Sequence, residues 1–337
     1  MKPIESTDAG FEASNQLLEL AWEFRSSRVF LSAYQLGVFT ALGAEGKTSR
    51  EVAETIGADH RATDRLLNAL VVLGLLRKQS GRFSNTPLTE RFLVQGRPDY
   101  LEGIGHFVYL WENWSNLTES VRTGTPAATA AQQEASDVWR KSFIAAMHDL
   151  ARRRADRVMR RIDLSNVSRV LDLGAGSGEY AMAFVRARDG IRATAFDTPD
   201  VIPLLMQYVE REGLSRRIEP RAGDFFEDPL GEDYDLVFLS AIIHIYSPPR
   251  NQRLFRRIHE ALSPGGRLVV HDFIMDEDRS GPLTGALFAL NMLVATEAGD
   301  TYTESEVRDW MEQAGLSNVR REDTGVGTSL ISGQRPS

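Results

Sequence analysis

VLDLGAGSGEY, residues 170–180, is the stretch whose reading decides the fold. Its first half is apolar apart from Asp172, as a strand buried on both faces should be. Gly174, Gly176 and Gly178 then follow at alternate positions and form the turn into a helix. Glycine permits a tight turn with positive φ and lets a ligand come close to the main chain. Such a loop after a strand serves several nucleotide cofactors, NAD, FAD and S-adenosylmethionine among them. The spacing G-x-G-x-G differs from the dinucleotide pattern G-x-G-x-x-G, and this tilts the reading against NAD.

Working outward toward the C-terminus, short β-rich runs alternate with helical ones. Arg169–Leu173, Ala193–Asp197, Ile218–Ala222, Tyr234–Ser240 and Arg267–Phe273 read as strands. That alternation predicts an α/β domain, a doubly wound and mostly parallel sheet of Rossmann-like type. Ligands of such sheets bind outside the carboxyl ends of the strands. Two acids stand at those ends. Asp197 closes the second strand, where a carboxylate can accept hydrogen bonds from both ribose hydroxyls. Asp224, in AGDFF, follows the third; it can accept an adenine amino group, with Phe225 offering a ring for stacking. Either acid alone reads as a turn or cap residue, and their joint placement gives the cofactor reading its weight.

Toward the N-terminus the character changes. Apolar residues at helical spacing between Phe11 and Leu42 predict two helices that need a partner surface. A short helix at Ser49–Ile56, a break at Gly57, a helix over Asp59–Leu73 and a hairpin from Leu75–Gln79 to Arg82–Asn85 follow. Helix, turn, helix, hairpin is the winged-helix order. The helix Asp59–Leu73 sets Arg61 and Arg65 against Asp59 and Asp64, too few free cations for a DNA-reading helix, so packing or dimerisation is the preferred use. A long helical stretch, Pro98–Arg122, and a second, Val138–Ile162, join the halves. Residues 1–95, 96–164 and 165–337 are expected to be a winged-helix dimerisation domain, a helical linker contributing to the active site and the cofactor-binding domain.

Bulk properties narrow the chemistry. With 337 residues and 42% hydrophobic content, two cores are expected. The net charge of −8 opposes binding to phosphate backbones, and no nucleic-acid partner is expected. The absence of cysteine removes disulfides, thiolate nucleophiles and cysteine-ligated metals. The polar segment Met1–Gly10 lacks a signal-peptide profile, and no apolar run approaches the roughly 18 residues that span a bilayer. A cytoplasmic protein without a membrane partner is expected. The tail Gly333–Ser337 reads as frayed.

The order of the glycine loop, FDTPDVI (196–202), AGDFF (222–226) and ALSPGGRLVVHDF (261–273) resembles that of class I methyltransferases. The whole chain resembles the small-molecule O-methyltransferases related to caffeate O-methyltransferase. The resemblance implies S-adenosylmethionine as cofactor, held by Asp172, Gly174, Gly176, Gly178, Asp197, Thr198, Asp224 and Phe225. It further implies that Phe143 and Met147 close over the cofactor, that Ser240 holds its methionine end, and that the winged-helix domain dimerises. Methyl transfer from a sulfonium is an in-line displacement that needs alignment and a deprotonated acceptor, and no metal. His244, just beyond the fourth strand, stands where a base could face the methyl group.

The family reads leucine, histidine, aspartate, tryptophan where this chain has Ile243, His244, Ile245 and Tyr246. Asp272 stands in place of a glutamate that orients the histidine, and Thr301 in place of a second glutamate. Trp111, Phe288, Asn291 and Met292 are implied on the acceptor side. The expectation is O-methylation of a small aromatic or polyketide-like molecule by a homodimer. C-, N- or S-methylation stays open, as do a winged-helix ligand sensor and, less favoured, an NAD-dependent oxidoreductase.

Overall fold

The computed structural model describes residues 11–128, 130 and 136–337. The polar segment Met1–Gly10 lies outside them. The chain divides into two compact units, residues 1–108 and 109–337.

In the first unit, α1 (Phe11–Trp22), α2 (Phe24–Gln35) and α3 (Val38–Leu42) precede α4 (Ser49–Ile56) and α5 (His60–Val72). The two expected helices between Phe11 and Leu42 are thus three. The chain breaks at Gly37, whose φ of 71° is left-handed and ends the helical run. Thr48 and Glu51 form a reciprocal capping box at the start of α4, and Asp59 caps α5 by accepting from the Ala62 N–H. The hairpin β1 (Leu76–Gln79) and β2 (Arg82–Asn85) turns through Ser80 and Gly81, both at positive φ, the two-residue turn that matches strand twist. Phe39, Leu42, Leu67, Leu70 and Phe83 fill a core between these elements. Leu17, Leu18, Trp22 and Phe24 are each more than half exposed in the single chain. α6 (Pro87–Phe92) follows the hairpin.

The expected long helix over Pro98–Arg122 is instead α7 (Ile104–Trp114) and α8 (Leu117–Thr123), separated at Ser115 and Asn116. Both side chains turn back onto main-chain carbonyls, Ser115 onto Trp111 and Asn116 onto Glu112, which is how such residues end a helix. α9 (Asp137–Met159) is the second linking helix.

The second unit is built on a sheet ordered β10-β11-β7-β6-β3-β4-β5. Its strands are β3 (Arg169–Leu173), β4 (Arg192–Asp197), β5 (Ile218–Ala222), β6 (Tyr234–Ser240), β7 (Leu262–Asp272), β10 (Ser317–Asp323) and β11 (Ser329–Gln334). β5, β4, β3, β6 and β7 run parallel, and β11 and β10 add antiparallel pairs. Side chains alternate between two cores, as a period of two requires. Leu236 and Phe238 of β6 pack with Phe184 and Leu205, whereas Val237 and Leu239 pack with Phe255 and Trp310 on the other face. The covering helices are α10 (Glu179–Ala187), α11 (Ile202–Arg211), α12 (Pro248–Ala261), α13 (Leu283–Ala295) and α14 (Glu304–Gln313). A minor pair, β8 (Ile274–Met275) and β9 (Tyr302–Thr303), lies outside the main sheet.

The tail is not frayed. Gly333 pairs with Leu268, Gln334 pairs with Arg267, and the Arg335 N–H reaches the Gly266 carbonyl at 2.8 Å. No helix among the described residues is long and apolar enough to cross a membrane.

Candidate active site

Register brings the carboxyl ends of five strands level. Leu173 lies beside both Phe196 and Leu239, Asp197 beside Ala222, and Ser240 beside His271. The strand order reverses on either side of β3, the switch point at which sheets of this kind take their ligands in a crevice. The glycine loop turns across it, with the N–H groups of Gly174 and Ala175 both bonded to the Phe196 carbonyl. A Cβ on Gly174, at φ 75°, would lie 2.3 Å from Ile242 Cδ1, so a larger residue would be strained by its backbone and would have to displace Ile242.

Asp197 reaches back to that loop. Its Oδ2 accepts the Gly176 N–H and its Oδ1 the Thr198 N–H, each at 2.7 Å. A carboxylate oxygen has two acceptor positions, so each retains one for a ligand hydroxyl. Thr198 contributes through its main chain. Asp224 Oδ1 takes the Phe226 N–H at 2.8 Å, and its side chain is otherwise exposed beyond the end of β5. Phe225 is nearly buried, held edge-on by Tyr246 at 5.9 Å between ring centres. The Ser240 hydroxyl lies 2.9 Å from His271 Nδ1, and the other ring nitrogen meets the Thr328 hydroxyl at 2.8 Å.

Asp172 is fully enclosed behind the loop, and its Oδ2 accepts the Ala181 N–H at 2.9 Å. Burial, aided by the charge of Asp197, pushes its pKa up to about 7 despite that hydrogen bond. An acid whose folded pKa is raised takes up its proton earlier in the native state, so its contribution to stability is present at low pH and lost as pH rises from about 4 to about 7. The cofactor-free Asp172→Asn variant should therefore gain stability over the unaltered protein by roughly 4 kcal/mol across that window. Urea unfolding at pH 5 and pH 8 measures it, and a pH-independent difference between the two proteins would contradict it.

His244 lies in a short 3-10 turn, Ile243–Ile245, just past β6. Its Nδ1 is 2.7 Å from Asp272 Oδ1, which also accepts the Phe273 N–H at 2.8 Å. A carboxylate on Nδ1 fixes the tautomer and leaves Nε2 as the nitrogen open to a substrate. Both residues are buried, and Asp272 Oδ2 has no hydrogen-bond partner among the described residues. Phe288 of α13 meets the imidazole edge to face at 4.7 Å. Thr301 is buried and its hydroxyl makes one long contact, 3.4 Å, to the Gly285 carbonyl. One carboxylate therefore orients this histidine.

Residues 114–317 match the O-methyltransferase domain, and residues 18–95 match the O-methyltransferase dimerisation domain. The chain belongs to the O-methyltransferase family. It is 33% identical over 310 residues to a 3-hydroxy-5-methyl-1-naphthoate 3-O-methyltransferase of Streptomyces sahachiroi, covering 90% of each chain. Against a tetracenomycin polyketide synthesis 8-O-methyl transferase of Streptomyces glaucescens, identity is 30% over 331 residues, with 95% of this chain and 96% of the other covered. The human N-acetylserotonin methyltransferase, solved in complex with S-adenosylmethionine, superposes with a TM-score of 0.84 at 28% identity, over 98% of this chain and 100% of that one. The enzyme is an S-adenosylmethionine-dependent methyltransferase with a Rossmann-like catalytic domain and a helical dimerisation domain.

Three of the residues that the sequence places on the acceptor side of this O-methyltransferase lie on α13. Phe288 stacks on Phe273 at 4.2 Å, Asn291 accepts the Trp114 indole N–H at 2.9 Å, and Met292 is buried. Trp111, one helical turn before Trp114, is half-buried. On α9, Phe143 stacks on Trp139 at 5.0 Å, and both Phe143 and Met147 are half-buried. Sequence reasoning missed Ile242, which walls the glycine loop, and the loop at 296–300. There the Asp300 N–H bonds the His244 carbonyl at 3.0 Å, and a Cβ on Gly299 would approach that same carbonyl to 2.4 Å. Both are contacts between distant segments, and no local pattern announces them.

Proposed function

We propose that this methyltransferase transfers a methyl group to a hydroxyl of a small aromatic or polyketide-like acceptor, with His244 as general base and Asp272 as the group that positions it. The observation that carries the reading is the buried Nδ1–Oδ1 contact, 2.7 Å long, beside Phe288 and level with the cofactor crevice. The substrates named for the naphthoate and tetracenomycin relatives support the acceptor class.

The residues fit an adenosyl sulfonium. Asp197 keeps acceptor positions for the ribose, and the glycine loop admits a ligand against its main chain. Asp224 offers its exposed oxygen to the adenine amino group, with Phe225 as the ring beside it, and Asp172 holds the start of α10, the helix that follows the loop. Ser240 borders the methionine end, while Phe143 and Met147, four residues apart on one face of α9, cover the site. When bound, S-adenosylmethionine supplies a methyl group on a good leaving sulfur. His244 Nε2 takes the hydroxyl proton as the oxygen gains that methyl, and Asp272 stabilises the resulting imidazolium.

Phe288 and Met292 give the acceptor an apolar wall, with Trp111 nearby. Asn291 adds polarity of a fixed sense. An indole N–H only donates, so the amide must turn its oxygen to Trp114 and keep its NH2 for the substrate. The exposed apolar residues of α1, with the matched dimerisation domain, support a homodimer formed through the first unit, and residues 96–164 serve as a linker lending residues to the site.

Incubation with labelled methyl donor and a panel of hydroxynaphthoates, polyketide phenols and aryl amines should label the hydroxyaryl compounds. Labelling confined to amines or carbon would overturn the O-directed reading.

A further inference from the structure

His148 takes no part in the reaction outlined above, yet it is a buried polar residue on the helix that carries Phe143 and Met147. It is 7% exposed. Its Nδ1 lies 3.0 Å from Ser177 Oγ, inside the glycine loop between Gly176 and Gly178. Its ring packs against Tyr208 of α11 at 4.2 Å between centres, and Glu179 at the head of α10 stands 3.6 Å away. One imidazole therefore meets the loop, the helix that follows it, and the helix that follows Asp197. Ile144, one turn earlier on the same face of α9, also borders the loop, its Cδ1 4.0 Å from where a Cβ on Gly176 would sit. The 144/148 face is seated on the loop, and the 143/147 face is held beside it.

We propose that His148 is a positioning residue for the cofactor: its bond to Ser177 locks α9 to the glycine loop, so that Phe143 and Met147 and the Gly176 N–H are set together at the geometry that holds S-adenosylmethionine. The proposal rests on the reading of the crevice as a cofactor site. Burial, with Arg211 and Arg152 nearby, lowers the His148 pKa to about 4, so a neutral ring makes the bond at physiological pH. Gly176 donates to Asp197 and Ser177 follows directly, so a shift of the hydroxyl is passed to the carboxylate that faces the ribose. A plain packing role would need the volume of the ring and not its Nδ1. This gives the test its discriminating arm.

Calorimetry with S-adenosylmethionine, together with steady-state kinetics on the full chain, decides the matter. His148→Ala should raise Kd at least tenfold, with the loss falling on KM for S-adenosylmethionine rather than on kcat. Ser177→Ala, which removes only a hydroxyl, should give a similar loss, and the double variant no more than either single one. His148→Asn, whose amide reproduces the position of Nδ1 and can donate or accept, should restore most of the affinity, and His148→Gln should not. Should His148→Ala fail to fold, Ser177→Ala and His148→Asn carry the comparison. If the unaltered protein binds and the Ser177→Ala variant binds as tightly, the positioning role is rejected while the function stands. If the unaltered protein does not bind, both are rejected together.

Discussion

Asp197→Ala should lose S-adenosylmethionine binding by a factor of about 10²–10⁴, because two hydrogen bonds to a charged acceptor at roughly 1.5–3 kcal/mol each disappear together. The structure adds a second reason for so large an effect. The carboxylate also holds the Gly176 and Thr198 N–H groups, and its removal releases the glycine loop that forms the other side of the crevice. Asp197→Asn keeps one acceptor oxygen and should fall between the two. Titration of each variant with S-adenosylmethionine and with its demethylated product by calorimetry reads the effect. Binding of the alanine variant within threefold of the unaltered protein would remove the adenosyl cofactor from this pocket.

His244→Ala should leave cofactor affinity near its original value and reduce kcat by about 10²–10⁴-fold, the usual worth of a positioned general base. A phenol titrates near pH 10, so raising the pH toward that value ionises the acceptor in solution and should recover much of the lost rate. Asp272→Asn should slow turnover less, since it can hold the ring but no longer stabilises its charged form. These outcomes separate proton removal from simple pocket damage, because a collapsed pocket is not repaired by alkali. Turnover by His244→Ala equal to that of the unaltered enzyme would dismiss histidine as the base.

The catalytic domain was legible where short-range pattern and chemistry coincide. Val170–Gly178 reads as strand and loop because apolar run and glycines are contiguous, and Asp197 and Asp224 announce themselves by following strands. β10 escaped notice because SNVRRED is an edge strand whose side chains are mostly exposed, so no alternation of apolar residues marks it. The expected frayed tail overlaps its partner β11 because Gly333 has no side chain to show burial. The split between α7 and α8 depends on how Ser115 and Asn116 direct their hydrogen bonds. Long-range pairings such as Trp114 with Asn291, His148 with Ser177 and Gly299 with His244 leave no trace in the order of residues. They belong to the fold as a whole.

The loop after α13 carries an implication for redesign. Ala295 ends the helix, the Thr296 hydroxyl accepts the Gly299 N–H, and Asp300 then grips the His244 carbonyl. On the proposed mechanism, the wall that chooses the acceptor and the nitrogen that takes its proton are thereby tied together through one loop. Recarving Phe288 or Met292 to admit a bulkier compound will drag the base with it, so breadth of acceptor and speed of turnover are not independent dials in this scaffold.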